Sequence, residues 1–140
     1  MLRYRPSIPR SSAWLWFTAA LVLLAAAAAI VVPEVTDARD RERMARVLTG
    51  GDPQNAPALL QRYGCSGCHT ISSLPGADGK VGPPLDHLRE RVFIAGVLNN
   101  TSDNLIRFIV SPQSTVPGAM PNSDITESEA RDVAAYLYAR

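Results

Sequence analysis

The sequence predicts an all-α protein in two parts: one N-terminal transmembrane helix, then a small helical domain. Three observations predict it. Residues 13–32, AWLWFTAALVLLAAAAAIVV, are twenty residues without a charge, proline, glycine or asparagine. Downstream, apolar residues recur at helical spacing in separate segments, one of which opens on a capping box. No segment shows strand alternation of useful length.

The apolar stretch comes first. At ~1.5 Å per residue a helix of this length spans ~30 Å, the thickness of a bilayer core. Trp14 and Trp16 sit at its start, where aromatic rings favour the headgroup region, and Pro33 and Glu34 close it. Residues 1–12 contain Arg3, Arg5 and Arg10 and no acid, which predicts a cytoplasmic N-terminus and everything after Pro33 on the far side. A cleaved signal peptide is a second reading, with small-residue sites at Ala26 to Ala29, although signal cores run only ~7–15 residues. A buried soluble helix is a third, but it would carry a polar face, and this stretch has only Thr18.

Residues 33–50 form a charged stalk. Acids and bases recur at helical spacing, Asp37 with Arg41 and Glu42 with Arg46, beside a thin apolar stripe of Met44, Val47 and Leu48. A packing surface for a neighbouring membrane subunit is the alternative reading. TGGDP at 49–53 is a turn, and residues 51–140 are expected to make the helical domain.

Within that domain a first helix is expected from about Pro57 to Tyr63, with proline suited to the first turn. A second is expected from about Ser102 to Val110, capped by Thr101. The third opens on TESE at 126–129, with Thr126 at the cap and Glu129 three residues on, and Val133, Tyr136 and Leu137 on one apolar face. A shorter helix is expected within residues 85–96, LDHLRERVFIAG. Between them run two long loops rich in Gly and Pro, residues 73–84 and 111–124. So small a helical domain with such loops has little core of its own, so something else is expected to fill its centre.

Charge excludes one class of partner. The chain has 14 basic and 13 acidic residues, a net of +1, and residues 51–140 alone carry seven bases and nine acids, so nothing points to nucleic acid.

Both cysteines of the chain lie in GCSGCHT, residues 64–70. Cys-x-x-Cys-His is the attachment signature of a c-type haem. Cysteines at i and i+3 share a helix face, so both thiols can reach one porphyrin edge and add to its vinyl groups. His69, at i+4 from Cys65, stays on that side and presents its imidazole to the iron. Gly64, Ser66 and Gly67 are small enough to let the ring approach the backbone. Three other readings stand beside this one. A redox disulfide normally accompanies a βαβ pattern, absent here. A zinc site could recruit His69 and His87, but adjacent Cys68 and His69 suit two corners of one tetrahedron poorly. A plain structural disulfide also fits an exported chain.

A sixth iron ligand has four candidates: Met44, Met120, His87 or none. Met44 lies in the charged stalk, and His87 sits among Asp86, Arg89 and Glu90, where a solvated residue is expected. Met120 lies in VPGAMPN, between Pro117-Gly118 and Pro121, without helical periodicity. A lone Met is usually core filler, but on such a loop in a haem chain it reads as the axial ligand.

In their order these motifs resemble class I cytochrome c: a helix leading to Cys-x-x-Cys-His, GPPL at 82–85, a middle helix, a Met loop and a C-terminal helix with AAYLY. The likeness covers about residues 51–140. It implies one covalent haem c, thioethers at Cys65 and Cys68, His69 and Met120 on the iron, and the Pro83 carbonyl accepting a hydrogen bond from His69. It implies that the C-terminal helix, through Tyr136 and Leu137, crosses the N-terminal helix near Leu60; where the family often has Gly, this chain has Ala56 and Pro57. Residues 81–122 look more like the haem-bearing extension of some bacterial haem–copper oxidase subunits II than like mitochondrial cytochrome c. The copper-binding portion of such subunits has no counterpart here, so a stand-alone tethered version is expected. NNTS at 99–102 also matches a glycosylation sequon, but Thr101 reads as the helix cap.

The expected function follows: a membrane-anchored electron carrier rather than an enzyme. Its haem domain would lie on the periplasmic side of a bacterial cytoplasmic membrane. Its expected partners are a quinol:cytochrome c reductase and a terminal haem–copper oxidase. The alternatives are a five-coordinate haem enzyme or gas-binding protein, or a structural subunit whose haem turns over slowly.

Overall fold

The computed structural model describes residues 10–118 and 120–140, with side chains from residue 13 onward. Arg3 and Arg5, and the side chain of Arg10, on which the expected orientation in the membrane rests, lie outside the described residues. The chain divides into two compact units, Met1–Asp37 and Ala38–Arg140.

In the first unit the long helix α1, Arg10–Thr49, provides the apolar segment. Its part from Ala13 onward contains an 18-residue window of mean hydropathy 2.6, none of it buried within the protein. The single hydroxyl in the apolar stretch is satisfied locally, Thr18 Oγ1 donating to the Leu15 carbonyl at 3.0 Å. That satisfies the demand a hydrocarbon medium makes on every polar group. Pro33 ends the apolar composition, but it does not end the helix, which continues to Thr49. Proline deletes one i→i−4 bond and crowds the carbonyl four residues back. An Ala-rich run before it and a charged run of good helix formers after it carry the helix on. Thr36 Oγ1 donates to the carbonyls of Val32 at 3.1 Å and Pro33 at 2.8 Å beside the break.

In the second unit, the last turns of α1 belong to the helical domain. Ala45 and Thr49 are one turn apart and buried to 0% and 1% exposure, small enough to lie against the core. Gly50, at φ +70°, ends the helix in the left-handed conformation that glycine adopts without strain. Asp132 latches the turn that follows, accepting from Asp52 N at 2.6 Å and Asn55 Nδ2 at 2.9 Å.

Helix α2, Ala56–Arg62, has proline in its first turn as expected. Helix α3 is the single turn Cys65–Cys68. Helix α4, Ser102–Val110, is capped by Thr101, whose side chain accepts from Asn104 N at 3.2 Å. A short α5, Pro112–Thr115, follows it. Helix α6, Glu127–Tyr138, has the full capping box of Thr126 and Glu129. It buries Ala130, Val133, Ala134, Tyr136 and Leu137 against α2 and α4, which present Ala56, Leu60, Leu105 and Ile106. The architecture is all-α with little strand, as the sequence predicts. Ala56, the first residue of α2, is fully buried.

The short helix expected within 85–96 does not form. The segment makes a 3-10 turn, Leu88–Glu90, and then a two-residue antiparallel pair, β1 Phe93–Ile94 and β2 Leu98–Asn99. Ala95 and Gly96, at φ +49° and +76°, make the tight turn between them. Leu88 and Ile94, the segment's buried apolar residues, are six positions apart, a spacing no helix face provides. Asn100 fixes the alternative by donating its amide to the carbonyls of Leu88 at 2.7 Å and Arg91 at 2.8 Å.

Candidate haem site

Helix α2 stops at Arg62, and Gly64, at φ +70°, turns the chain sharply into α3. One helical turn then separates Cys65 from Cys68, and both are free thiols. Burial pushes the Cys65 thiol above its ordinary pKa, so it is held as a neutral S–H. His69 keeps one helical bond, its N–H donating to the Cys65 carbonyl at 2.9 Å, but its backbone has already swung to extended angles of −110° and 143°. The histidine therefore stands just past the helical turn rather than within it.

Residues 78–85 fold back over this turn. Gly82 N donates to the Cys68 carbonyl at 2.8 Å and Leu85 N to the Thr70 carbonyl at 2.9 Å. Thr70 Oγ1 donates to the Gly79 carbonyl at 2.9 Å. Two glycines allow the approach. A Cβ on Gly79 would lie 2.5 Å from the Gly67 oxygen, and one on Gly82 would lie 2.4 Å from His69 Cε1. Asp86 closes the loop, accepting from Ser72 N and Ser72 Oγ, both at 2.9 Å.

This packing fixes the imidazole. His69 Nδ1 lies 2.7 Å from the Pro83 carbonyl oxygen. A carbonyl only accepts, so Nδ1 carries a hydrogen and donates it, which leaves Nε2 as the ring nitrogen not engaged by Pro83. The structure thus brings Cys65, Cys68, His69 and Pro83 into one site. Two half-buried thiols one turn apart, an adjacent histidine with one nitrogen spent on the protein and the other kept as a donor, and backbone kept bare by glycines together fit a covalently attached haem. The zinc alternative finds no support in the geometry: among the described residues no three His, Cys, Asp or Glu side chains gather as a metal site.

Met120 stands on a separate loop, half-buried. Gln113 Nε2 donates to its carbonyl at 2.5 Å and to that of Gly118 at 2.7 Å. His87 is 72% exposed at its side chain and pairs with Glu90 at 3.4 Å, the environment of a solvated residue. Met44 is 47% exposed on α1. Sequence reasoning missed Gly79, Asn100 and Gln113. Each acts through backbone groups five or more positions away, beyond the reach of local helix patterns, and only Gly79, within a Gly/Pro-rich loop, left any signal.

The fold and the site define a protein built to hold haem through Cys-x-x-Cys-His. Residues 53–139 match the family model described as Cytochrome c, which covers more than half of the chain, and the chain belongs to the cytochrome c family. Among curated proteins it is similar to "Cytochrome c oxidase subunit 2" of Alkalihalophilus pseudofirmus, 35% identical over 81 residues, 56% of this chain and 23% of that protein. The chain thus spans under a quarter of the relative's length. No solved structure matches it significantly. The family brings electron transfer as the class of activity and haem c as the cofactor.

Proposed function

We propose that the chain is a membrane-anchored mono-haem cytochrome that passes single electrons in a bacterial respiratory chain, from a quinol:cytochrome c reductase to a terminal haem–copper oxidase. In this reading Cys65 and Cys68 would form the thioethers, and His69 and Met120 would hold the iron. The apolar helix is retained as a single-pass anchor in the cytoplasmic membrane, with the haem domain on the periplasmic side. The observation that carries the reading is the His69–Pro83 bond, 2.7 Å, which orients the imidazole through Nδ1 and leaves Nε2 unengaged by Pro83 beside two free thiols.

Haem c, when bound, supplies a centre that gains and loses one electron. The protein's residues do the rest. Cys65 and Cys68 tether the group so that it survives an exported environment. The Pro83 carbonyl fixes the plane and tautomer of His69 and makes Nε2 a better donor. Methionine as the second ligand raises the potential and leaves no position open to a substrate. Held by His69 and Met120 in either redox state, the haem would ask little rearrangement of the chain. The anchor holds the domain near membrane complexes and raises its effective concentration there.

The test uses full-length protein matured with haem and purified in mild detergent. A haem that stays with the denatured polypeptide, a methionine–iron absorption band in the ferric form, and no carbon monoxide binding in the ferrous form are expected. Ready carbon monoxide binding together with a missing methionine band would replace this reading with the five-coordinate enzyme or gas-binding alternative. Reductase and oxidase subunits that fail to co-purify or to exchange electrons with the protein would remove the named partners.

A further inference from the structure

We propose that Gln113 is the positioning residue of the methionine loop, the group that holds Met120 where it can bind iron. The proposal rests on the reading of Met120 as the second ligand.

The loop cannot hold itself. Pro117 and Pro121 bracket it, and neither has an N–H to donate. Among the described residues, no backbone–backbone hydrogen bond ties Pro117–Asp124 to any part of the chain; the last before the loop is Val116 N to the Pro112 carbonyl, 2.8 Å. Gln113 fills the gap. Its side-chain nitrogen donates to the Gly118 carbonyl at 2.7 Å and to the Met120 carbonyl at 2.5 Å. A primary amide has two hydrogens, so both are spent on the loop.

The platform behind Gln113 is firm. Pro112 is fully buried. Thr115 Oγ1 donates to the Ser111 carbonyl at 2.7 Å, and Ser111 N donates to the Arg107 carbonyl at 2.9 Å, so α5 is fixed to the end of α4. One exposed side chain thus connects the rigid helical body to the methionine backbone. Thioether sulfur is a weak ligand, and its hold on iron depends on the loop being ordered beforehand. Loss of the clamp leaves the fold intact and loosens the ligand.

The test compares the mature haem protein with Gln113→Ala, Gln113→Glu and Met120→Ala. The ferric methionine–iron band, its pH midpoint and the binding of added imidazole are followed. Gln113→Ala is expected to bind imidazole roughly tenfold more tightly than the unaltered protein, the scale of two lost hydrogen bonds, and to lose the band at lower pH. Gln113→Glu should match it at neutral pH, because a carboxylate cannot donate, and should recover part of the band on acidification, when one O–H returns. Unaltered imidazole binding and band midpoint in both Gln113 variants would overturn the proposal while leaving Met120 as ligand. Equal loss in both without acid recovery would also overturn it, since packing and not donation would then be the cause. An unaltered protein that already lacks the band, like Met120→Ala, removes the ligand assignment and this proposal together.

Discussion

Tyr63 Oη donates to Glu129 Oε2 at 2.9 Å, joining the residue that ends α2, two positions before Cys65, to the first turn of α6. The same carboxylate completes the capping box, accepting from Thr126 N at 3.1 Å and Thr126 Oγ1 at 2.6 Å, and it pairs with Arg62 at 3.4 Å. A residue recognised in the sequence only as a helix cap therefore also clamps the entrance to the haem site. The hydroxyl and N–H of Thr126, then Tyr63, hold its carboxyl below the ordinary 4.5. A lowered folded value means stability that is present above pH 4.5 and is lost as pH falls through the folded value. Glu129→Gln should flatten this acid loss, measured as the denaturant midpoint between pH 6 and about 3. It should also bring the Tyr63 phenol back toward 10, since its bond to the Glu129 carboxylate is what raises it, readable in an alkaline ultraviolet titration. A Glu129→Gln protein with the same acid slope as the unaltered chain contradicts the assignment.

Gly82 is required by the imidazole itself. A Cβ there would lie 2.4 Å from His69 Cε1 and 2.6 Å from Nδ1, and that ring is also held by Pro83. Gly82→Ala must move either the loop or the ring, at a cost of about 1–3 kcal/mol. Because the loop carries Pro83, a weakened bond to His69 makes the imidazole a poorer donor, and the variant should show a higher reduction potential and a disturbed histidine–iron signature as well as a lower melting temperature. A normal potential in a destabilised protein would show that the strain is relieved without disturbing the His69–Pro83 bond.

Of the glycines, Gly51 is the one where an added Cβ would meet backbone most closely. An added Cβ would lie 2.2 Å from the carbonyl carbon of Arg131 and 2.5 Å from Asp132 N, all backbone. Arg131 also reaches back, Nη1 donating to the Thr49 carbonyl at 3.0 Å. Gly51→Ala should cost about 1–3 kcal/mol or more, since no side chain can rotate away, and it should do so in protein with or without haem. An equal melting temperature in the variant would show that the 49–53 turn can slide off α6.

The contrast between these residues shows what the sequence could disclose. Thr101, Thr126 and Pro57 act on neighbours within four positions, so their helix starts were legible, and the Cys-x-x-Cys-His turn announces itself for the same reason. The close passage of Gly51 over Arg131 joins residues eighty positions apart, and no local pattern encodes it. Residues 85–96 misled because charged and apolar residues alternate there with helical plausibility. The decision belongs to Asn100, a residue outside the segment whose amide bonds to the Leu88 and Arg91 carbonyls favour the hairpin instead. The end of α1 reads as a stalk because its surface is charged, while its contact with the core is made by Ala45 and Thr49, small residues that leave little trace in a hydrophobic pattern.

Asn100 offers the sharpest test of that account. Its amide nitrogen bridges the carbonyls of Leu88 and Arg91, while its Oδ1 accepts from Tyr138 Oη at 2.7 Å. Asn100→Ala leaves two carbonyls and a phenol short of partners at once and should cost about 1–3 kcal/mol. Tyr138→Phe removes only the phenol and should cost less. The pair should be coupled, so that the double variant is less destabilised than the sum of the singles. Burial pushes the Tyr138 phenol up to about 12. A raised folded value means stability fully present below the ordinary 10 and lost as pH rises toward 12. Tyr138→Phe should lack that alkaline loss, which denaturant midpoints between pH 9 and about 11.5 would show. Strict additivity of the two substitutions would break the link between Asn100 and α6, and with it the explanation for why residues 85–96 do not form a helix.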